Sequence, residues 1–198
     1  MVDVDNAKSF LKERLSKKRY THSINVADEA RKLAGIYGAD KDKAYLAGLL
    51  HDVCKEDPVE IQKQYVINSR MSVSKVELAS KPLWHGIAGA YFAKTHFGVD
   101  DMDIINAIRF HTVGRAGMSR LEEIVYLADL ISADRDYKDV DKMRKLAYSN
   151  VEKAMFEALC FSIDSVLKKG GYIPHYTADA YNQYAYSSGK RKKSKEKK

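Results

Sequence analysis

Six histidines are spread along this chain, and two aspartates keep company with four of them. His51 and Asp52 close the apolar run Ala47-Gly48-Leu49-Leu50. His22, His85, His111 and Asp129 each fall in or beside another apolar stretch. A polar group buried without a partner costs free energy, and acids are almost never fully buried unpaired. Any one of these residues alone has an ordinary reading. A lone inward His is usually a hydrogen-bonded core residue, and a lone buried Asp a cap or an ion-pair partner. Four inward imidazoles with two inward carboxylates are a costly accident, and one metal centre answers all six. Mixed imidazole and carboxylate donors suit iron, manganese, cobalt or zinc, but not calcium. Six ligands exceed the usual complement of a single catalytic zinc, so a metal pair bridged by Asp52 fits the count better. Such a pair clamps the attacking and leaving oxygens of a phosphoryl displacement. Lys55, four residues after His51, places an ammonium where a phosphate held by the metal would lie.

The elements that position these residues read as helices. Ala7, Phe10, Leu11 and Leu15 make one apolar stripe. Val26, Ala30, Leu33, Ala34 and Tyr37 make a second, in register with His22 and stopped by Gly38. Ala44, Ala47, Leu50 and Cys54 make a third, and Gly48 on it would let another helix approach closely. On a helix, adjacent His51 and Asp52 point about 100° apart, so both reach one metal only at a helix end or in a crevice. Asp57-Pro58-Val59-Glu60 has the form of a helix start, with Asp57 as its cap. A helix over 84–97 carries His85 and ends at Gly98. Asp101 caps the next, which leads to His111 and Thr112. Ser119 and Glu122 form a capping box for a helix through Ile131 that carries Asp129. A long amphipathic helix runs from about Val151 to Lys169. His96 is read as a structural residue at a helix end, and His175 lies in a loop before a short C-terminal helix. No strand alternation competes, so the fold class is all-α, a helical bundle in a single domain.

Composition bounds the function further. At 198 residues the chain buries most of its unfolded surface without staples. Cys54 and Cys160 form no CxxC pair and suit free thiols in a reducing cytoplasm. The N-terminus lacks the pattern of a signal peptide, and no apolar run approaches the roughly 20 residues of a membrane helix. The net charge of +7 is concentrated at one end: residues 190–198 hold seven Lys/Arg and one Glu, whereas 1–189 hold 27 basic and 26 acidic residues. A nucleic-acid binder carries its charge on the folded body. Residues 187–198 are therefore expected to be a disordered basic tail, and nucleic acid is expected as a partner only weakly, through that tail.

The motifs Arg19-Tyr20-Thr21-His22-Ser23, Ala47-Gly48-Leu49-Leu50-His51-Asp52, Ala107-Ile108-Arg109-Phe110-His111-Thr112 and Tyr126-Leu127-Ala128-Asp129, with the late Tyr181-Asn182, resemble the HD-domain phosphohydrolases, and within them the bacterial YqeK-type subgroup. The resemblance spans about residues 15–185. It implies an HD-domain helical bundle over 1–186, a cytoplasmic location, a frequent homodimer and a di-iron centre. The activity it implies is symmetrical hydrolysis of diadenosine tetraphosphate into two ADP by a metal-bridging hydroxide. Carried over by position, His22, His51, Asp52 and Asp129 hold one metal, and His85 and His111 complete the second with Asp52 bridging. Asp52 and Lys55 carry the catalysis. Lys55, His85, His111, Thr112, Arg135, His175 and Thr177 hold the nucleotide. One departure is visible: the subgroup pattern has Glu-Pro after the Ala-Asp motif, where this chain has Ser132-Ala133.

Two other functions share these features. The same machinery can act on a mononucleotide or a cyclic nucleotide, and a non-enzymatic nucleotide or RNA-associated sensor would use the tail. The tail carries nearly all the net charge and no candidate ligand. Ending the chain after Ser188 should therefore leave kcat within about two-fold, whereas a drop of about a hundred-fold would show that the tail folds over the substrate.

Overall fold

Helix boundaries follow the caps. A computed structural model of the chain describes residues 2–195, with side chains as far as Ser187. It places α1 at Val4–Arg14 and α2 at Lys17–Tyr37, each capped by a side-chain oxygen, of Asp3 and Ser16 respectively. Gly38 ends α2 in the left-handed region, at φ 68°. The chain continues through α3 (Lys41–Leu50), α4 (Val59–Ser69), α5 (Lys75–Ala79), a single 3-10 turn over Lys81–Leu83, and α6 (Trp84–Phe97). It then forms α7 (Met102–Phe110), α8 (Arg120–Ile131), α9 (Val140–Ser149), α10 (Val151–Lys168) and α11 (His175–Lys195). Asp101 caps α7, and Ser119 with Glu122 closes the capping box of α8. No strand occurs among the described residues.

The core is the seam where α2, α3, α7 and α8 meet. α2 lies along α3 and α8, and α7 packs on α3, α6 and α8. Leu33, Leu49, Leu50, Ile105, Ile108, Ile124 and Leu127 are fully buried there, each contributing about 1.5–3 kcal/mol by leaving water. α4 covers α6 on one side. α9, α10 and α11 close the other. Among the described residues no helix is long and apolar enough to cross a membrane. Of the disordered basic tail expected over 187–198, the backbone of 187–195 is instead helical, the last part of α11; residues 196–198 and the side chains of 188–195 lie outside the described residues.

Three local expectations are corrected. The third stripe does not continue to Cys54: α3 stops at Leu50, and residues 51–57 form successive turns closed by Val53 N–H to Leu50 O and Lys55 N–H to Asp52 O. Lys55 therefore reaches the site from a turn, not from a helix face. Asp57 is not a cap. Both its oxygens accept from Arg14 Nη2, at 2.6 and 2.7 Å, and α4 starts after Pro58 without a side-chain cap. The C-terminal helix is long, since α11 runs over 21 residues. Two helices, α5 and α9, were not expected from the periodicity.

Gly48 sets the closest approach in the bundle. A Cβ there would lie 2.9 Å from Ala27 Cα and 3.0 Å from Val26 O, both backbone atoms of α2. Gly48→Ala should force α2 and α3 apart and cost about 1–3 kcal/mol. The reading is a lower urea midpoint at unchanged slope, and an unchanged midpoint would show that the helices yield freely.

Candidate metal centre

Three helix ends converge on one point. His51 is the residue that follows α3, His111 follows α7, and Asp129 lies in the last turn of α8. His22 comes from the second turn of α2 and His85 from the first turn of α6. Helix C-termini carry partial negative charge, which favours a cation between them. The connection that delivers His85 is pinned by the buried pair Arg109–Glu77 at 2.6 Å and by Trp84 Nε1–H donating to Glu77 O at 3.0 Å.

Asp52 is the hub. Its Oδ1 lies 3.3 Å from His85 Nε2 and 3.7 Å from His111 Nε2. Its Oδ2 lies 3.4 Å from His51 Nε2 and 3.9 Å from His22 Nε2. Asp129 Oδ1 stands 3.0 Å from His22 Nε2 and 3.9 Å from His51 Nε2. All four imidazoles and Asp52 are buried. Asp52 Oδ2 accepts from Arg19 Nη1 at 2.6 Å, and Asp129 pairs with Arg135, so both carboxyls are ionised. Burial drives the His85 imidazole well below its ordinary value, against the Asp52 charge, so His85 is neutral.

The ring nitrogens have fixed roles. His51 Nδ1 lies 2.7 Å from Gly48 O, His85 Nδ1 2.8 Å from Pro82 O, and His111 Nδ1 2.7 Å from Ile108 O. A carbonyl only accepts, so each Nδ1 carries the proton and each Nε2 presents a lone pair. His22 repeats the pattern with a carboxylate, Asp134 Oδ2, at 2.8 Å. Burial raises the Asp134 pKa, but Asn25 and His22 lower it to about 2.

This arrangement suits a cation. His85 Nε2 and His111 Nε2 are 3.1 Å apart, and both are acceptors. Thr112 Oγ1 lies 2.9 Å from His111 Nε2 and Lys55 Nζ 3.1 Å from His85 Nε2, so a donor is in reach of each. His22 Nε2, His51 Nε2 and Asp52 Oδ1 are buried with no hydrogen-bond partner. Two triads, His22–His51–Asp129 and His51–Asp52–His111, each bring their ligand atoms within 4.8 Å of one another. The donor set fits a divalent transition metal.

Cations rim the carboxylates. Lys55 Nζ lies 3.1 Å from His85 Nε2 and 3.9 Å from Asp52 Oδ1, and burial lowers its pKa against the pull of Asp52 and Asp129. Arg135 donates to Asp129 Oδ1 and, through Nε at 2.8 Å, to Asp129 O. Two expected nucleotide contacts do not join the cluster. His175 is exposed beside Tyr176, and Thr177 donates its hydroxyl to Val113 O at 2.8 Å. Two residues were missed. Arg19 Nη1 donates to Asp52 Oδ2 at 2.6 Å, and its spacing of three from His22 was the available signal. Asp134 sits in an irregular loop with no periodic signal. His96, read as structural, stacks on Phe92 and lies tilted against Phe10.

A family model for the HD domain matches residues 19–134. The chain belongs to the HD-domain family. Likeness to individual relatives extends further along the chain. The symmetrical bis(5'-nucleosyl)-tetraphosphatase of Bacillus subtilis is 35% identical over 178 residues, covering 90% of this chain and 95% of that one. The symmetrical bis(5'-nucleosyl)-tetraphosphatase of Halalkalibacterium halodurans is 38% identical over 178 residues, 89% and 94% of the two chains. A crystal structure from Clostridium acetobutylicum, described as a predicted HD superfamily hydrolase involved in NAD metabolism, superposes with a TM-score of 0.90 at 40% identity, covering 94% of this chain and 99% of that one.

Asp134 orients the His22 ring, and its charge would strengthen His22 as a ligand. Asp134→Ala should weaken metal binding about 10–100-fold, as outer-shell losses do, with little change in thermal midpoint. Metal affinity equal to wild type in a competition titration would remove Asp134 from the centre.

Proposed function

We propose that the protein is a metal-dependent symmetrical bis(5'-nucleosyl)-tetraphosphatase, which splits diadenosine tetraphosphate into two ADP. The observation that carries the reaction class is the meeting of buried imidazole Nε2 atoms at Asp52 and Asp129 with Lys55 and Arg19 beside Asp52 and Arg135 on Asp129. Full-length likeness to two symmetrical tetraphosphatases carries the substrate. The ligands are His22, His51, Asp52 and Asp129 for one metal and His85 and His111 for a second, with Asp52 shared. Iron is the foremost candidate, with manganese, cobalt and zinc as alternatives. The enzyme works in the cytoplasm as a homodimer.

When bound, the metal supplies Lewis acidity and a nucleophile from water at neutral pH. The chain supplies the rest. Asp52 and Asp129 remain ionised, so charge on the polyphosphate must be met by cations. Lys55, on its turn beside His85, meets the oxygens around the scissile bond, and Arg135 meets the departing ADP. Electrostatic stabilisation of this kind acts most where water is excluded, as it is around the buried His85 and His111.

Two variants separate holding the metal from using it. Asp52→Ala removes the shared ligand, and metal content and turnover should fall together. Lys55→Ala removes only a cation, so metal should stay while kcat falls on the order of 10²–10³, as on loss of one oxyanion donor. Normal turnover by Lys55→Ala would refute the phosphate role. Production of ATP and AMP in place of two ADP would refute the symmetrical reaction.

A further inference from the structure

A second feature lies just beyond the rim cations. α9 and α10 enclose an open groove of about 680 Å³, within the range of small-molecule sites. Its floor is apolar, with Met143, Leu146 and the tilted ring pair Tyr137–Phe161, whose centroids are 4.8 Å apart. Lys138 and Glu157 stand among its lining residues. The Tyr137 hydroxyl is buried with no hydrogen-bond partner, a cost that a ligand atom would remove. Phe161 is 41% exposed, a large aromatic surface left to water.

The groove is tied rigidly to the metal centre. Tyr137 is two residues from Arg135, so the two Cα atoms are at most about 7 Å apart. Arg144 on α9 fixes the intervening loop: Nε donates to Ile131 O at 3.0 Å, and Nη2 donates to Ser132 O at 3.0 Å and Arg135 O at 2.9 Å. Asp139, at the groove, holds φ 70° and pairs with Lys142 at 2.6 Å. Strain of this kind persists where surroundings over-determine it, often at ligand clamps. A ligand with phosphate at Arg135 and a planar base beyond it finds both sites at a set separation.

We propose that this groove binds one nucleoside of the dinucleoside polyphosphate, an amino-purine whose base lies on Phe161. This rests on the proposed function. Cleavage at the centre of a tetraphosphate leaves a nucleoside two phosphates away on each side, and Tyr137, two residues after Arg135, lines this groove. The base stacks on the Phe161 ring, its exocyclic amine donates to Glu157, and a ring nitrogen accepts from the Tyr137 hydroxyl.

Phe161→Ala tests the groove without touching the metal ligands. Loss of one base–aromatic stack should raise KM for diadenosine tetraphosphate about tenfold or more, with kcat within about two-fold and metal content and urea midpoint unchanged. An unchanged KM overturns the proposal. A fall in sedimenting mass in Phe161→Ala overturns it too, because a second copy of the chain would then cover this face. A second measurement does not depend on turnover. Metal-loaded full-length protein is photolabelled with 2-azidoadenosine 5'-diphosphate, and the label should map to peptides containing Tyr137 or Phe161. Labelling elsewhere overturns the groove. Groove labelling by a protein that leaves diadenosine tetraphosphate intact would overturn the proposed function alone.

Discussion

A neutral imidazole has two nitrogens and one proton, and in four places this protein decides where that proton sits. The carbonyls of Gly48, Pro82 and Ile108 and the carboxylate of Asp134 all face Nδ1 atoms. Each acceptor draws the proton outward, and each Nε2 lone pair is left facing Asp52. Three of these acceptors are backbone atoms three residues before the histidine they orient, and two of those lie in the last turn of a helix. A helix end has spare carbonyls in any case, so orienting the ligand also satisfies the backbone. The candidate metal centre is therefore built from helix termination itself. Its precision depends on where α3 and α7 stop and on how closely α2 can approach, which is the role of Gly48.

The electrostatics follow from this arrangement. Lone pairs, two carboxylates and helix C-termini put negative potential in a buried space, and only cations relieve it. Some of the relief is provided by the chain: Arg19 on Asp52, Arg135 on Asp129, and Lys55 beside His85. The same three groups lie where an anionic polyphosphate would approach. In the proposed reading, metal ligation and substrate recognition draw on one charge balance, with carboxylates inside and guanidinium and ammonium groups outside.

Much of this was legible in the sequence because it rests on local rules. The six candidate ligands stand out as polar residues in apolar stretches, and the structure brings all six together. Ser16, Gly38, Asp101 and Ser119 mark helix ends because caps act within one turn. Misreadings arose where a distant partner overrode a local signal. Asp57 has the form of a cap, but Arg14, 43 residues earlier, binds it. Cys54 extends the apolar period of α3, although the chain has already turned at His51. Asp134 was invisible because its partner is 112 residues away. Arg144 orders its loop through backbone carbonyls, which leave no trace in side-chain spacing.

The central claim is that four Nε2 lone pairs are held ready for a metal. Long-range ¹H–¹⁵N spectra of ¹⁵N-histidine-labelled protein read tautomer and ligation together, and diamagnetic Zn(II) keeps every resonance visible. His22, His51, His85 and His111 should appear as neutral Nδ1–H tautomers in chelator-treated protein. Their Nε2 resonances should shift on addition of Zn(II), while those of His96 and His175 stay in place. Nε2–H tautomers at these four positions, or Nε2 signals indifferent to Zn(II), would contradict it.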